Sequence, residues 1–410
     1  MRQNIGRLME ERNLDAAVVM GSTVESPTVY YLTGGVKLEG VMLIFQKDAP
    51  SLLIHHPIER DNAAETGYDC LPYTHWDIGK IFQAVEGNAL MARAELIRQI
   101  LAESGVRGQV GFYGHGEIGS AHTLLSALQT RLHASEIVTE YDRDLFSRAR
   151  ETKDQAEIDV MKDLGRRTCQ VVGAVADLLT SRPVSNNHLV ASDGEPMTIG
   201  HVKDFIRGQL ANLGLEEPAE NIFATGADAG VPHNHGDPND VLELGKSIIF
   251  DIFPRPQGGG YYHDMTRTWC LGYAPPEVEQ AYEDVMTSFD LAVAALKVGR
   301  LTAEYQVLTC EYFESQGHPT SMTDFASQSG YVHSLGHGLG LQVHEAPGFS
   351  HLPGNTATLE PGTVFTIEPG LYYPELGYGV RVEDTYICDH DGVFHSITPF
   401  AKDLVLPVGR

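Results

Sequence analysis

Short apolar runs alternate with longer amphipathic stretches over the first third of the chain. Ala16-Ala-Val-Val-Met20, Val41-Met-Leu-Ile-Phe45, Leu52-Leu-Ile54 and Gln109-Val-Gly-Phe-Tyr113 have strand length. Ala89 to Ser104 and Ser120 to His133 repeat apolar residues at helical spacing. Strands alternating with helices predict an α/β layer domain. Near residue 150 the pattern changes. Arg148 to Arg167 reads as a charged amphipathic helix with Ile158, Met161 and Leu164 on one face. The domain boundary is placed just before it, giving units 1–150 and 151–410. In the second unit, helices are expected at about 152–181, 197–213 and 276–298, with Gly- and Pro-rich strand pairs between and after them. That is an α+β pattern. Residues 182–196 read as an inserted loop, and no 20–50-residue repeat is visible.

Two strand pairs in this second unit carry carboxylates. Ser247-Ile-Ile-Phe-Asp-Ile-Phe253 and Tyr261-Tyr-His-Asp-Met-Thr-Arg-Thr-Trp269 flank Pro254-Arg-Pro-Gln-Gly-Gly-Gly260, which is turn material. A symmetric hairpin centred between Gln257 and Gly258 sets Asp251 opposite Asp264. Like charges so placed destabilise a sheet, and a cation between them reverses the sign. Thr363-Val-Phe-Thr-Ile-Glu368 and Gly379-Val-Arg-Val-Glu-Asp-Thr-Tyr-Ile387 repeat the arrangement, with Glu368 and Glu383 equidistant from the Glu375–Leu376 midpoint. Pro369 and Gly370 are the natural place for a bulge in this pair. One such pair would read as solvated surface carboxylates. Two pairs, both set among Ile, Val and Phe, read as buried charges that require partners.

A third segment, Tyr331-Val-His-Ser-Leu-Gly-His-Gly-Leu-Gly-Leu-Gln-Val-His-Glu345, brings His333, His337 and His344 into one Gly-rich strand. It is not a helical His-Glu-x-x-His site, because Ala346-Pro-Gly348 breaks the helix and supplies no ligand. Its Gly-x-Gly spacing is no dinucleotide fingerprint, since no helix follows. Four carboxylates with an imidazole make an oxygen-rich donor set suited to Mn²⁺, Co²⁺, Fe²⁺ or Zn²⁺. Four negative charges can hold two dications, which lower the pKa of a bridging water and clamp a developing oxyanion.

Composition narrows the partners. The 410 residues carry 29 Lys+Arg against 55 Asp+Glu, a formal charge of -26, which excludes a continuous nucleic-acid-binding surface. The five cysteines are scattered and form no Cys-x-x-Cys pair, so neither a disulfide framework nor a thiolate metal site is expected. The chain opens without an apolar leader and its apolar runs are strand-sized. A cytoplasmic protein, away from membranes, is expected.

In their order along the chain, Asp251, Asp264, His337, Glu368 and Glu383 resemble the five-ligand set of the M24 metallopeptidases, which have the pita-bread fold. Asp264-Met-Thr-Arg-Thr268, Gly336-His-Gly-Leu-Gly340, His344-Glu345, Thr366-Ile-Glu-Pro-Gly-Leu-Tyr372 and Val380-Arg-Val-Glu-Asp384 carry the likeness across about 150–410. Leu14-Asp-Ala-Ala-Val-Val19 and Val29-Tyr-Tyr-Leu-Thr-Gly-Gly35 resemble the creatinase-type α/β N-terminal domain of the Xaa-Pro branch. The resemblance implies a pita-bread catalytic domain holding two divalent ions, Mn²⁺ first and Co²⁺, Zn²⁺ or Fe²⁺ as alternatives. By the same likeness His344 stabilises the tetrahedral intermediate, and His233 or its rival His235 is a pocket histidine. His333 lines the pocket, and Arg381 meets a substrate carboxylate bidentately. The implied activity is hydrolysis of the Xaa-Pro bond of short peptides, as in an Xaa-Pro dipeptidase. Aminopeptidase P on longer peptides is the near alternative, and a creatinase-like amidinohydrolase a more distant one. The family also implies a homodimer.

Overall fold

The structure, a computed structural model, describes residues 4–47 and 49–409. They form two compact units that divide between Arg150 and Glu151. The first is a six-stranded sheet in the order Asp69–Pro72, Leu52–His55, Val41–Gln46, Ala16–Gly21, Gly108–Gly114, Ser135–Val138. Val41–Gln46 runs antiparallel to both its neighbours, and every other pairing is parallel. Strands of a largely parallel sheet are covered on both faces, whatever their own direction, and so read as unbroken apolar runs. Ala17, Val18, Val19, Leu43 and Ile44 are accordingly fully buried. The Ala89–Glu103 helix lays Ala94, Ile97, Ile100 and Leu101 into the core beside Val18, Ile44 and Val110.

The second unit is built of two helix-backed sheets. Ile222–Thr225, Ser247–Ile252, Met265–Leu271 and Val405–Leu406 make one. Its apolar face packs on the helices Gln155–Thr180 and Ile199–Asn212 through Phe223, Phe250, Trp269, Val172 and Ile206. Glu345–Gly348, His337–Gly338, Val364–Ile367, Asp384–Cys388 and Phe394–Ser396 make the other. It packs on the helices Pro276–Ala294 and Thr302–Ser315 through Phe365, Tyr386, Phe289 and Tyr305. A bridge between Thr266 and Glu383 links the two sheets. Behind that bridge the fully buried Arg267 ties them together. It donates to the carbonyls of Thr266, Glu383, Phe400 and Ala401 and to Asp384 Oδ1 at 2.9 Å. Among the described residues no helix is long and apolar enough to cross a membrane.

Several expectations change. The amphipathic helix expected from Arg148 is two helices, Leu145–Glu151 and Gln155–Thr180. Between them Thr152 bridges Thr363 and the Lys153 N–H reaches Gly362 O. Asp154 then restarts the helix through a capping box with Glu157, a signal present in the sequence as Asp-x-x-Glu. The 182–196 loop contains a small hairpin, Val184–Ser185 with His188–Leu189. Residues 331–345 are mostly irregular, with strand only at His337–Gly338 and from Glu345. The backbones there approach too closely for side chains: a Cβ on Gly338 would lie 2.1 Å from Ala346 O.

The first hairpin has a different register. Asp251 pairs with Thr266 and Ile252 with Met265, so Asp264 precedes the strand instead of facing Asp251. The connection is not a symmetric turn, because Arg255–Pro256 leaves to pair with Leu215–Glu216 and Tyr262 N–H bonds Gly340 O. The shift is two residues, so the face is unchanged. The second hairpin keeps the expected register without a bulge. Val364 to Ile367 pair with Ile387 to Asp384, and Gly370 to Tyr373 with Arg381 to Tyr378, around one common centre.

Candidate metal centre

Side chains alternate across a strand, and that alternation assembles the site. Thr266 and Thr268 point forward, while Arg267 points back to Asp384. On the return strand Arg381 and Glu383 point forward. Thr266 stands at the centre of this face. Its hydroxyl donates to Glu383 Oε2 at 2.8 Å and accepts from Arg381 Nε at 3.2 Å. Thr366 Oγ1 stands 3.5 Å from Glu368 Oε1 and accepts from the His337 N–H at 3.2 Å. The Thr385 hydroxyl anchors the Asp264 carbonyl at 2.7 Å.

His337 Nδ1 donates to the carbonyl of Gly338 at 3.1 Å. This leaves the Nε2 lone pair facing Glu368 Oε1 at 3.5 Å and Asp264 Oδ2 at 3.7 Å. Ligand atoms of Asp264, His337 and Glu383 all lie within 4.8 Å of one another. Asp251 Oδ1, Asp264 Oδ1 and Glu383 Oε1 are buried and accept no hydrogen bond. Three bare carboxylate oxygens around an available imidazole nitrogen are costly unless a cation completes them. The donor set therefore fits divalent metal.

The electrostatics of the site point the same way. Burial, and next the charge of Glu383, push Asp264 and Glu368 well above the usual carboxylate range. Burial and then Asp251 push Glu383 to about 8. Burial holds His337 near 3, with His344 adding to it, and holds His333 near 3, with Arg381 adding to it. A carboxyl with a raised folded pKa stabilises the protein below its unfolded pKa and loses that contribution as pH rises through the folded value. The buried histidines titrate in the opposite sense, but from about a pH unit above their ordinary pKa of about 6.5 they are almost wholly neutral in both states. Metal-free protein should therefore lose stability between about pH 7.5 and 8.5, by up to about 1.4 kcal/mol per pH unit for one group. Urea unfolding in chelator at about pH 7.5 and 8.5 measures this. Equal stability at the two values would mean that the carboxylates are solvated.

His344 sits against His337, ring centroids 4.3 Å apart, and burial holds its pKa below the usual imidazole range, with His233 contributing. His233 likewise acts electrostatically on His333. His235 lies apart from this group: its Nδ1 is 3.2 Å from Asn221 O, and it acts on Glu220. His333 donates from Nδ1 to Ser334 O and accepts at Nε2 from the Tyr372 hydroxyl, both at 2.8 Å. Arg381 is only 3% exposed and is engaged within the chain. It donates to Asp251 Oδ2 at 2.7 Å, Tyr372 Oη at 2.8 Å and Pro232 O at 3.3 Å. The carboxylate it meets is thus that of Asp251. Thr266, Thr366 and Tyr372 were not foreseen. Each lies an even number of residues from Asp264 or Glu368, and on a strand that spacing puts them on the ligands' face.

The chain resembles known proteins over both units. The 1–143 segment matches the creatinase/prolidase N-terminal domain. A peptidase of Bacillus subtilis, YqhT, is 35% identical over 185 residues, 45% of this chain and 48% of that one. The match thus spans about half the length of that curated relative. The Xaa-Pro dipeptidase of Pyrococcus horikoshii is 25% identical over 401 residues, 95% of this chain and 94% of its own. The solved Xaa-Pro dipeptidase of Bacillus anthracis superposes with a TM-score of 0.76 at 22% identity, covering 98% of this chain and 99% of that one. The fold is therefore a creatinase-type domain followed by a pita-bread domain. Residues 159–390, more than half of the chain and the stretch that contains all five clustered donors, match the metallopeptidase family M24, and the chain belongs to that family.

Proposed function

We propose that this protein hydrolyses the Xaa-Pro bond of dipeptides, using two divalent ions, Mn²⁺ first, held by Asp251, Asp264, His337, Glu368 and Glu383. The observation that carries the reading is the set of buried carboxylate oxygens on Asp251, Asp264 and Glu383 that receive no hydrogen bond, around His337 Nε2. The end-to-end relative named Xaa-Pro dipeptidase supports the substrate class. Divalent metal in such a site supplies Lewis-acid polarisation of a carbonyl and a nucleophile active near neutral pH. The chain's own groups do the rest. Thr266 and Arg381 fix Glu383 and Asp251 in place. His344, whose pKa is held below the usual imidazole range, donates an N–H toward the oxygen on which charge develops. His333, fixed in one tautomer by Ser334 and Tyr372, lines the pocket with His233. A proline nitrogen has no N–H, so nothing in this scheme depends on one.

The test compares Ala-Pro, Ala-Pro-amide and Ala-Pro-Ala. Ala-Pro should be cleaved fastest, because a pocket built for the terminal carboxylate leaves polar groups unpaired when the carboxylate is absent. Equal or faster cleavage of the tripeptide would move the assignment to aminopeptidase P.

A further inference from the structure

The segment that brings His344 to the ligands has almost no ladder of its own. Between His337–Gly338 and Glu345–Gly348, residues 341–344 run as a series of bends. The Glu345 side chain holds them. Its Oε1 accepts from the N–H of Leu341 at 3.1 Å and of Gln342 at 3.2 Å. Its Oε2 lies 3.4 Å from Lys153 Nζ. The absence of a side chain at Gly340 leaves room for this carboxylate, since a Cβ there would stand 2.3 Å from Oε2 and displace it. The Lys153 side chain is 1% exposed and that of Glu345 5%. Lys153 is anchored in turn: its N–H bonds Gly362 O at 2.7 Å, and its neighbour Thr152 bridges Thr363. The strand that begins there carries Thr366 and leads to Glu368.

A buried ion pair is a poor stability device, because removing both charges from water offsets most of their attraction. Two apolar side chains would fill the space as well. They could not accept the two backbone N–H groups that shape the turn, the part-buried one of Leu341 and the exposed one of Gln342. We infer that Lys153 and Glu345 are positioning residues: their ion pair fixes the 341–344 turn and thereby aims His344 at the substrate carbonyl. The inference rests on the role given to His344 in the peptidase reading.

The experiment compares E345Q, K153M, K153R and the double variant K153M/E345M in metal-loaded enzyme. E345Q and K153M should lower kcat by about 10- to 100-fold, the usual effect of losing an outer-shell partner. KM should stay within about twofold and metal content should not change. The amides of Leu341 and Gln342 should exchange with deuterium faster in both. K153R should recover most of kcat. K153M/E345M should recover thermal stability without recovering kcat, because its apolar pair packs but accepts nothing.

Wild-type kcat and amide protection in E345Q would overturn the inference. So would a double variant that regains kcat together with stability, since the pair would then be packing only. If K153M does not fold, E345Q and the double variant still decide. The exchange measurement needs no substrate. Unchanged protection in E345Q therefore defeats the clamp, whereas a wild-type protein that leaves Ala-Pro intact defeats the peptidase reading.

Discussion

Asp264→Asn is expected to empty the metal centre and, at alkaline pH, to stabilise the protein that remains. The two effects have one cause. Asp264 is buried, with one oxygen bare and the other 3.7 Å from His337 Nε2. Glu383, Asp251 and Glu368 all raise its pKa. With metal, its charge binds the cation. Without metal, the same charge adds to a repulsion that the fold must contain. Asn keeps the size and removes the charge. Metal affinity should fall by more than about 100-fold, because loss of an outer-shell partner alone costs 10- to 100-fold. Activity should follow. In chelator at pH 8 the variant should melt higher than the parent. Elemental analysis and a melting curve read both effects. A variant with full metal content would remove Asp264 from the ligand set.

His344→Ala should separate catalysis from metal binding. His344 touches the His337 ring but does not belong to the close group formed by Asp264, His337 and Glu383. Removing it should leave metal content unchanged. Loss of one donor to a developing oxyanion costs about 2.7–4 kcal/mol, or about 10²–10³ in kcat. KM for Ala-Pro should move little, because the interaction strengthens only in the transition state. If the variant loses its metal, His344 is a ligand, and the division of roles between it and His337 is wrong.

The ligand face was legible because it depends on parity, which survives errors of register. The Asp251 hairpin was misplaced by two residues, and the carboxylates still came together. A slip of one would have turned Asp264 away from the site. The Glu368 hairpin kept its expected register through Pro369 and Gly370, the one place a bulge could have broken it. Its ladder parts there: Glu368 N–H turns to Leu335 O and Glu383 N–H to Thr266 O. Hydrogen bonds that leave the ladder for a neighbouring segment leave no periodic mark on the sequence. The Thr302–Ser315 helix escaped notice for another reason. Its buried face includes Thr302, Gln306 and Thr309 beside Tyr305 and Phe313, so polar residues hide the apolar period. Gln306 is buried because it is used, accepting from Tyr331 Oη and the Leu335 N–H. The choice between His233 and His235 was also beyond the sequence. Both lie in one short exposed loop, and only the path of that loop separates the histidine beside His333 and His344 from the one beside Asn221.

The common register of the Glu368 hairpin bears on how proteins built this way can change length over evolution. Its tip, Pro374–Leu376 closed by Gly377 with φ +77°, lies outside the ladder and leaves Leu376 largely exposed. Insertions at the tip lengthen a loop and leave both strands in step. Inside the strands the rule is stricter. One residue gained between Tyr378 and Glu383 would carry Glu383 to the opposite face and put Val382 or the added residue in its place. Only paired insertions, or a single one absorbed by a bulge, would keep the donors together. Drift in length is therefore continuous at the tip and quantised in twos along the arms.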